Sequence, residues 1–197
     1  MIIVLSGTHS TGKTTLLSDL KKSPIFSEWQ FHSGPTRTVR KLLELEINDT
    51  ASNYDAVQLA CVAYDLATLE KIEKSPFKNH ILDRGLLDTL VYSEYLRNQN
   101  KLSDDVLSAI KSLWRKHKGE YNLHFFTSIF DSKLTDDGER STDEKFQNDI
   151  NTRFDDKRSE FKVDSHFLVY GDRKQRVHQI SELVTYIQEK VNSKTQK

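Results

Sequence analysis

The chain has little cysteine, little proline and no long apolar run. Its one cysteine, Cys61, cannot form an internal disulfide, which fits a reducing compartment, so a cytoplasmic location is expected. No apolar stretch approaches the roughly 20 residues of a membrane span. The apolar N-terminus has no basic leader before it and does not read as a signal peptide. Charge of one sign is also missing: 29 Lys and Arg balance 29 Asp and Glu. No global field therefore favours nucleic acid or an anionic surface, although a local basic patch stays compatible with that balance. The seven histidines are scattered, and none makes a metal-ligand spacing with another histidine or with Cys61, so no zinc site is expected. There is no internal repeat and no low-complexity linker.

What is present is a chain of 197 residues, enough for one domain with a real core. Ile2 to Leu5 is a continuous branched apolar run, as in a parallel strand covered on both faces. Trp29 to His32, His80 to Asp83, Leu123 to Phe126 and His166 to Tyr170 are further strand candidates. Between them, helices are predicted over Thr14–Lys22, Arg37–Ile47, Tyr54–Ile72, Leu86–Leu96, Val106–Trp114 and Arg173–Val191. Strands alternating with helices point to a three-layer α/β fold with a parallel sheet. One segment differs: LTDDGERSTDEKFQNDINTRFDDKRSEF is dense in both charges and suggests mobility rather than core. The expected organisation is a single domain over 1–192, a mobile lid over about 133–160, and a frayed tail at 193–197.

The most informative stretch opens the chain. Gly7-Thr8-His9-Ser10-Thr11-Gly12-Lys13-Thr14 fits G-x-x-x-x-G-K-[ST], between a predicted strand and a predicted helix. The glycines let the backbone curl so that N–H groups face phosphate oxygens, and the helix N-terminus adds positive potential. Lys13 can reach the β and γ phosphates, and Thr14 can offer a hydroxyl to Mg²⁺. Gly7, Ser10, Thr11, Gly12, Lys13, Thr14 and Thr15 are therefore the expected contacts of ATP, with Mg²⁺ as the accompanying ion. The motif tolerates any residue at His9, so no chemistry is assigned to it.

The second stretch is HILDRGLLDTLVYSEYL. Asp83 ends an apolar strand, where open α/β sheets place their ligands. A carboxylate there can hold the Mg²⁺ shell or accept a proton from an attacking hydroxyl, and Arg84 beside it can contact a phosphate or the acceptor. The bland alternative is a helix cap next to a surface cation. Asp83-Arg84-Gly85-Leu86-Leu87-Asp88, followed by Val91-Tyr92, resembles the D-R-x-x-x-[SD]-x-x-[AV]-Y pattern of thymidylate kinases and related small P-loop kinases. Together with the later Asp136-Asp137-Gly138-Glu139-Arg140-Ser141, the motifs lie in the order seen in the nucleoside and nucleotide kinase group, which includes bacterial ribosylnicotinamide kinase. The resemblance spans roughly residues 1 to 190. It implies a P-loop NTPase fold with a five-stranded parallel sheet, and transfer of the γ-phosphoryl group of ATP to a small acceptor. The sequence departs from thymidylate kinases in carrying Gly85 where they usually have tyrosine and Asp88 where they usually have serine.

By the same resemblance Arg140 occupies a D-G-x-R-S arrangement that related kinases carry on a lid, where a cation can close over the transferred phosphoryl group. Arg153, Lys157 and Arg158 are weaker lid candidates, and the alternative for them is a solvated, salt-bridged helix. Arg37 and Arg40 follow the second predicted strand, about where monophosphate kinases hold the acceptor phosphate; Arg37 is the candidate clamp. On the apolar helix from Tyr54, Asp55, Gln58 and Asp65 share one side. Gln58 can donate and accept at once and so could read a base, whereas a partly solvated stripe accounts better for the two aspartates. Trp29 and Trp114 read as packing residues.

The sequence thus predicts a cytoplasmic ATP- and Mg²⁺-dependent kinase of nucleotide metabolism, with Lys13, Asp83, Arg84 and Arg140 as the catalytic set. Thr14 and Asp83 serve the metal, and Arg37, Gln58 and Arg84 the acceptor, a nucleoside or its monophosphate. Two rivals remain: a kinase acting on a hydroxyl of DNA or a modified base, and a nucleotide-dependent regulatory ATPase switch. Neutral charge disfavours the first, and a short chain with no added domain disfavours the second.

Overall fold

The computed structural model describes residues 1–42, 53–127, 129, 143–162 and 165–195. Five strands form one sheet: β1 (Ile2–Ser6), β2 (Gln30–His32), β3 (His80–Asp83), β4 (Leu123–Thr127) and β5 (His166–Val169). Seven α-helices are described: α1 (Lys13–Leu20), α2 (Pro35–Leu42), α3 (Tyr54–Glu73), α4 (Leu86–Asn98), α5 (Asp104–His117), α6 (Glu144–Arg158) and α7 (Arg173–Thr195). The strand order is β2-β3-β1-β4-β5 and every pairing is parallel.

Strand alternation explains the three layers. Ile3 and Leu5 of β1 enter one core with Leu16 and Leu20 of α1 and Ile180 and Val184 of α7. Val4, between them, enters the opposite core with Leu90 of α4, Ile110 of α5 and Ile150 and Phe154 of α6. A strand buried on both faces must be apolar throughout, hence the unbroken run at the N-terminus. Trp29 and Trp114 are both buried among these residues, as packing groups. No described helix is long and apolar enough to cross a membrane.

Three segments differ from the sequence pattern. The charged stretch contains a packed helix rather than solvated chain. Gln147, Ile150 and Phe154 of α6 are buried, and they follow one another at helical spacing on a narrow stripe that the surrounding charges conceal. Asp143 caps the helix, its Oδ1 accepting from the N–H groups of Lys145 at 2.9 Å and Phe146 at 3.1 Å. Helix α2 begins at Pro35, two residues before the predicted start, because a first-turn proline lacks only an N–H that has no helical partner; its predicted extension beyond Leu42 lies outside the described residues. Helix α7 continues to Thr195, into the segment expected to fray, since no glycine or proline stops it after Val191.

Candidate active site

The chain leaves β1 to build β2 and β3 on one side before crossing to β4 on the other. The carboxyl end of β1 is therefore the switch point where such sheets hold ligands. The loop after β1 turns there through left-handed backbone at Gly7 (φ 139°), Ser10 (φ 57°) and Gly12 (φ 78°). Gly7 also has no room for a side chain, since a Cβ would sit 2.7 Å from the Thr127 hydroxyl. Thr11 Oγ1 and Thr127 Oγ1 lie 2.6 Å apart, tying the loop to the end of β4.

Lys13 is buried, and its ammonium donates to the Thr8 carbonyl and, at 3.0 Å, to Thr11 Oγ1. Thr14 Oγ1 lies 3.5 Å from Asp83 Oδ2, so hydroxyl and carboxylate face one another across the mouth of the sheet. The Ser10 hydroxyl is buried with no hydrogen-bond partner among the described residues, and a phosphate oxygen would satisfy it. These groups fit a triphosphate and a hard divalent cation, which takes oxygen ligands and keeps part of its shell for phosphates. No group of three or more His, Cys, Asp or Glu able to hold a metal occurs among the described residues. Thr15 lies on the exposed side of the first turn of α1.

Arg84 and Asp88 form a hub behind the loop. Arg84 Nη1 donates to Asp88 Oδ1 and to the Gly7 carbonyl, each at 3.0 Å. Asp88 also accepts from Ser6 Oγ at 2.7 Å and from the Gly7 N–H at 3.3 Å. Burial pushes the Asp88 carboxyl above its usual range, while Arg84 and Lys13 pull it back. The Arg84 guanidinium also lies 5.4 Å from the centre of the Tyr92 ring. Where thymidylate kinases usually carry tyrosine, a Cβ on Gly85 would come within 3.3 Å of the Tyr121 hydroxyl, so Tyr121 fills that space.

The polar side of α3 binds α4. Ser93 Oγ donates to Gln58 Oε1 at 3.0 Å, and Thr89 Oγ1 to Asp65 Oδ2 at 2.9 Å. Asp65 is 4% exposed, so a partly solvated stripe is the wrong description of it. Burial pushes its pKa up to about 8, with Asp88 adding to the rise. Asp55 Oδ1 instead accepts from the Ser103 N–H, at the cap of α5.

Arg37 lies in α2, and Gly34 just before it approaches β3 so closely that a Cβ would be 2.4 Å from the Asp83 carbonyl oxygen. The Arg37 side chain and the whole of Arg140 lie outside the described residues. The weaker lid candidates are engaged elsewhere: Lys157 pairs with Glu94 at 3.4 Å and Glu160 at 3.2 Å, and Arg158 with Asp155 at 3.1 Å. With the Asn98 amide turned to satisfy both of its ends, its oxygen accepts from Arg153 Nη2 at 2.6 Å.

Sequence reasoning passed over His9, Asp88, Gln147 and Arg176. The His9 ring stacks on Phe146 at 4.8 Å, and its carbonyl accepts from Gln147 Nε2 at 3.0 Å. Arg176 donates from Nη1 to the Thr11 carbonyl at 2.7 Å and from Nε to the Gly171 carbonyl at 2.9 Å. Only the acid four residues after Arg84 left a local signal, through helical i,i+4 spacing.

Solved structures share this architecture. NadR in complex with NR superposes with a TM-score of 0.70 and 19% identity over 93% of this chain, which spans about half (50%) of the NadR chain. Thymidylate kinase from Candida albicans gives a TM-score of 0.66 and 18% identity, covering 95% of this chain and 92% of that one. Deoxyadenosine kinase from M. mycoides with bound dATP gives 0.67 and 14%, covering 94% and 99%. No curated protein matches the sequence. The fold is thus that of the P-loop nucleoside and nucleotide kinase group. A family model described as an AAA domain matches residues 2–176, and the chain belongs to that family.

Proposed function

We propose that the protein is an ATP- and Mg²⁺-dependent phosphotransferase whose acceptor is a nucleoside or a nucleoside monophosphate. The observation that carries this reading is the meeting of Lys13, Thr14 and Asp83 at the switch point of the sheet. When bound, Mg-ATP supplies the phosphoryl group and the cation that offsets its charge. Lys13 leaves its contact with the Thr8 carbonyl and neutralises the β and γ phosphates. Thr14 would hold the metal shell, with Asp83 either supporting it or taking the proton of the acceptor hydroxyl. Arg84, already fixed on one side by Asp88 and Gly7, turns its remaining N–H groups to the acceptor or the phosphoryl group. Gln58 keeps its amide N–H₂ for a base, since its oxygen is taken by Ser93. Arg140 and Arg37 complete the site as lid cation and acceptor clamp on sequence grounds. The fold relatives support the acceptor class: NadR was solved with NR, and deoxyadenosine kinase with dCMP and dCDP. A cytoplasmic location follows from the same reading.

The test is a coupled ADP-release assay with Mg-ATP against ribo- and deoxynucleosides, their monophosphates, nicotinamide riboside and single-stranded DNA, with Lys13→Ala as the blank. Acceptor-dependent turnover that disappears in the blank establishes the kinase and names its substrate class. ADP release that is the same with every acceptor and with none sinks the reading.

A further inference from the structure

Three carbonyls of the phosphate loop are each gripped from outside by a side chain of a different element. Arg84, between β3 and α4, holds the Gly7 carbonyl at 3.0 Å. Gln147 of α6 holds the His9 carbonyl at 3.0 Å, and Arg176 of α7 holds the Thr11 carbonyl at 2.7 Å. The gripped residues alternate along the loop. The Thr8 carbonyl, between the first two, is held instead from within the loop, by Lys13 and the Thr11 hydroxyl. All described peptide bonds are trans, and in a trans peptide the carbonyl and the next N–H point in opposite directions. Each grip therefore aims one N–H, of Thr8, Ser10 and Gly12 in turn, away from the gripping side chain.

We propose that Arg84, Gln147 and Arg176 are positioning residues that set the loop's donors for a triphosphate before it arrives. The proposal rests on the reading of this loop as the ATP site. Phosphate binding by backbone N–H groups depends on their convergence, and a loop ordered in advance does not lose that ordering entropy on binding. Gln147 is the most telling of the three. It is uncharged and 6% exposed on the core side of a helix whose outer face is charged. A buried amide requires partners, and its N–H₂ group goes to the loop. The stack of His9 on Phe146 seats the same turn of α6 against the same loop residue, which gives a role to a position that the motif leaves open.

The decisive variants are Gln147→Glu and Gln147→Met, read by calorimetric titration with Mg-AMP-PNP beside thermal unfolding. Both variants lose the N–H donor at about pH 8, and each binds AMP-PNP about tenfold more weakly than wild type; Gln147→Met does so with little change in unfolding temperature, whereas the buried carboxylate of Gln147→Glu lowers it as well. Burial favours the neutral acid at this position, so at about pH 5 the glutamic acid regains an O–H donor and Gln147→Glu returns to within about twofold of wild type at the same pH, while Gln147→Met stays weak. Methionine separates the lost donor from the added charge. Arg176→Met provides a second, independent grip, with about tenfold weaker binding expected. Variants that bind AMP-PNP as tightly as wild type, or that lose only thermal stability, overturn the proposal alone. Wild-type protein that bound no nucleotide would overturn the ATP reading together with it.

Discussion

Asp65→Asn should stabilise this protein, and by more as the pH rises. Asp65 is 4% exposed, accepts from Thr89 Oγ1 at 2.9 Å, and has its pKa pushed up to about 8 from 3.8 by burial, with Asp88 adding to the rise. Between those two values the unfolded chain has released a proton that the folded one retains. The unfolded state then binds fewer protons, so stability falls with rising pH, by about 1.4 kcal/mol per unit. From about pH 4 to pH 7 the full loss is about 4 kcal/mol. Relaxation and water penetration reduce such buried terms, so about 2 kcal/mol is the expected gain for asparagine at pH 7. Asparagine keeps an oxygen for Thr89 and has no charge to desolvate. Urea unfolding of both proteins at several values between about pH 4.5 and 8 measures the difference directly. It should be near zero at the acid end and grow steadily, reaching about 2 kcal/mol near neutrality. A difference that stays flat with pH, or a variant less stable throughout, would mean that Asp65 is ionised in the fold and compensated by Arg84, and the reasoning would fail.

His124 gives the opposite slope. It is 2% exposed, neither ring nitrogen has a hydrogen-bond partner among the described residues, and burial holds its pKa at about 3 against the usual 6.5. Stability is therefore lost as pH falls from 6.5 towards 3, and His124→Phe, which suits neighbours Trp114, Phe126 and Phe161, should flatten that acid limb of the urea midpoint; an unchanged limb counts against it. Gly7→Ala forces a Cβ to 2.7 Å from the Thr127 hydroxyl at a φ of 139°, so about 2 kcal/mol of stability and at least tenfold in AMP-PNP affinity should be lost; ordinary binding by the variant would show that the loop can shift. Thr14→Ala removes the hydroxyl facing Asp83 at 3.5 Å, and the Mg²⁺ concentration for half-maximal turnover should rise about tenfold with little change in unfolding temperature. An unaltered Mg²⁺ dependence would remove Thr14 from the metal shell.

The fold was legible where burial is complete and the period unmistakable. The three inner strands, β1, β3 and β4, stand out as apolar runs, because parallel strands covered on both faces tolerate little else, whereas the half-exposed edge strands β2 and β5 carry a weaker signal. Helix α6 was hidden for the converse reason. Only Gln147, Ile150 and Phe154 are buried in fifteen residues, and a stripe that narrow, one member of it polar, leaves the charges to dominate composition. Asp65 was misjudged in the same way. An aspartate on a helix reads as solvated until its partner is known, and Thr89 lies 24 residues further along the chain.

The site divides along the same line. The residues proposed to touch phosphate or metal are packed into one contiguous motif and one strand end, because the loop and the switch point are local consequences of a strand followed by a helix. Residues that shape the loop come from 77, 138 and 165 positions away, in Arg84, Gln147 and Arg176. Their side chains meet loop carbonyls, which every residue has, so no residue type in the motif announces them. A carbonyl partner has no counterpart in the sequence that could be read in advance. The motif thus carries the proposed contacts, whereas the side chains that grip its carbonyls come from one turn and two helices that the fold brings beside it.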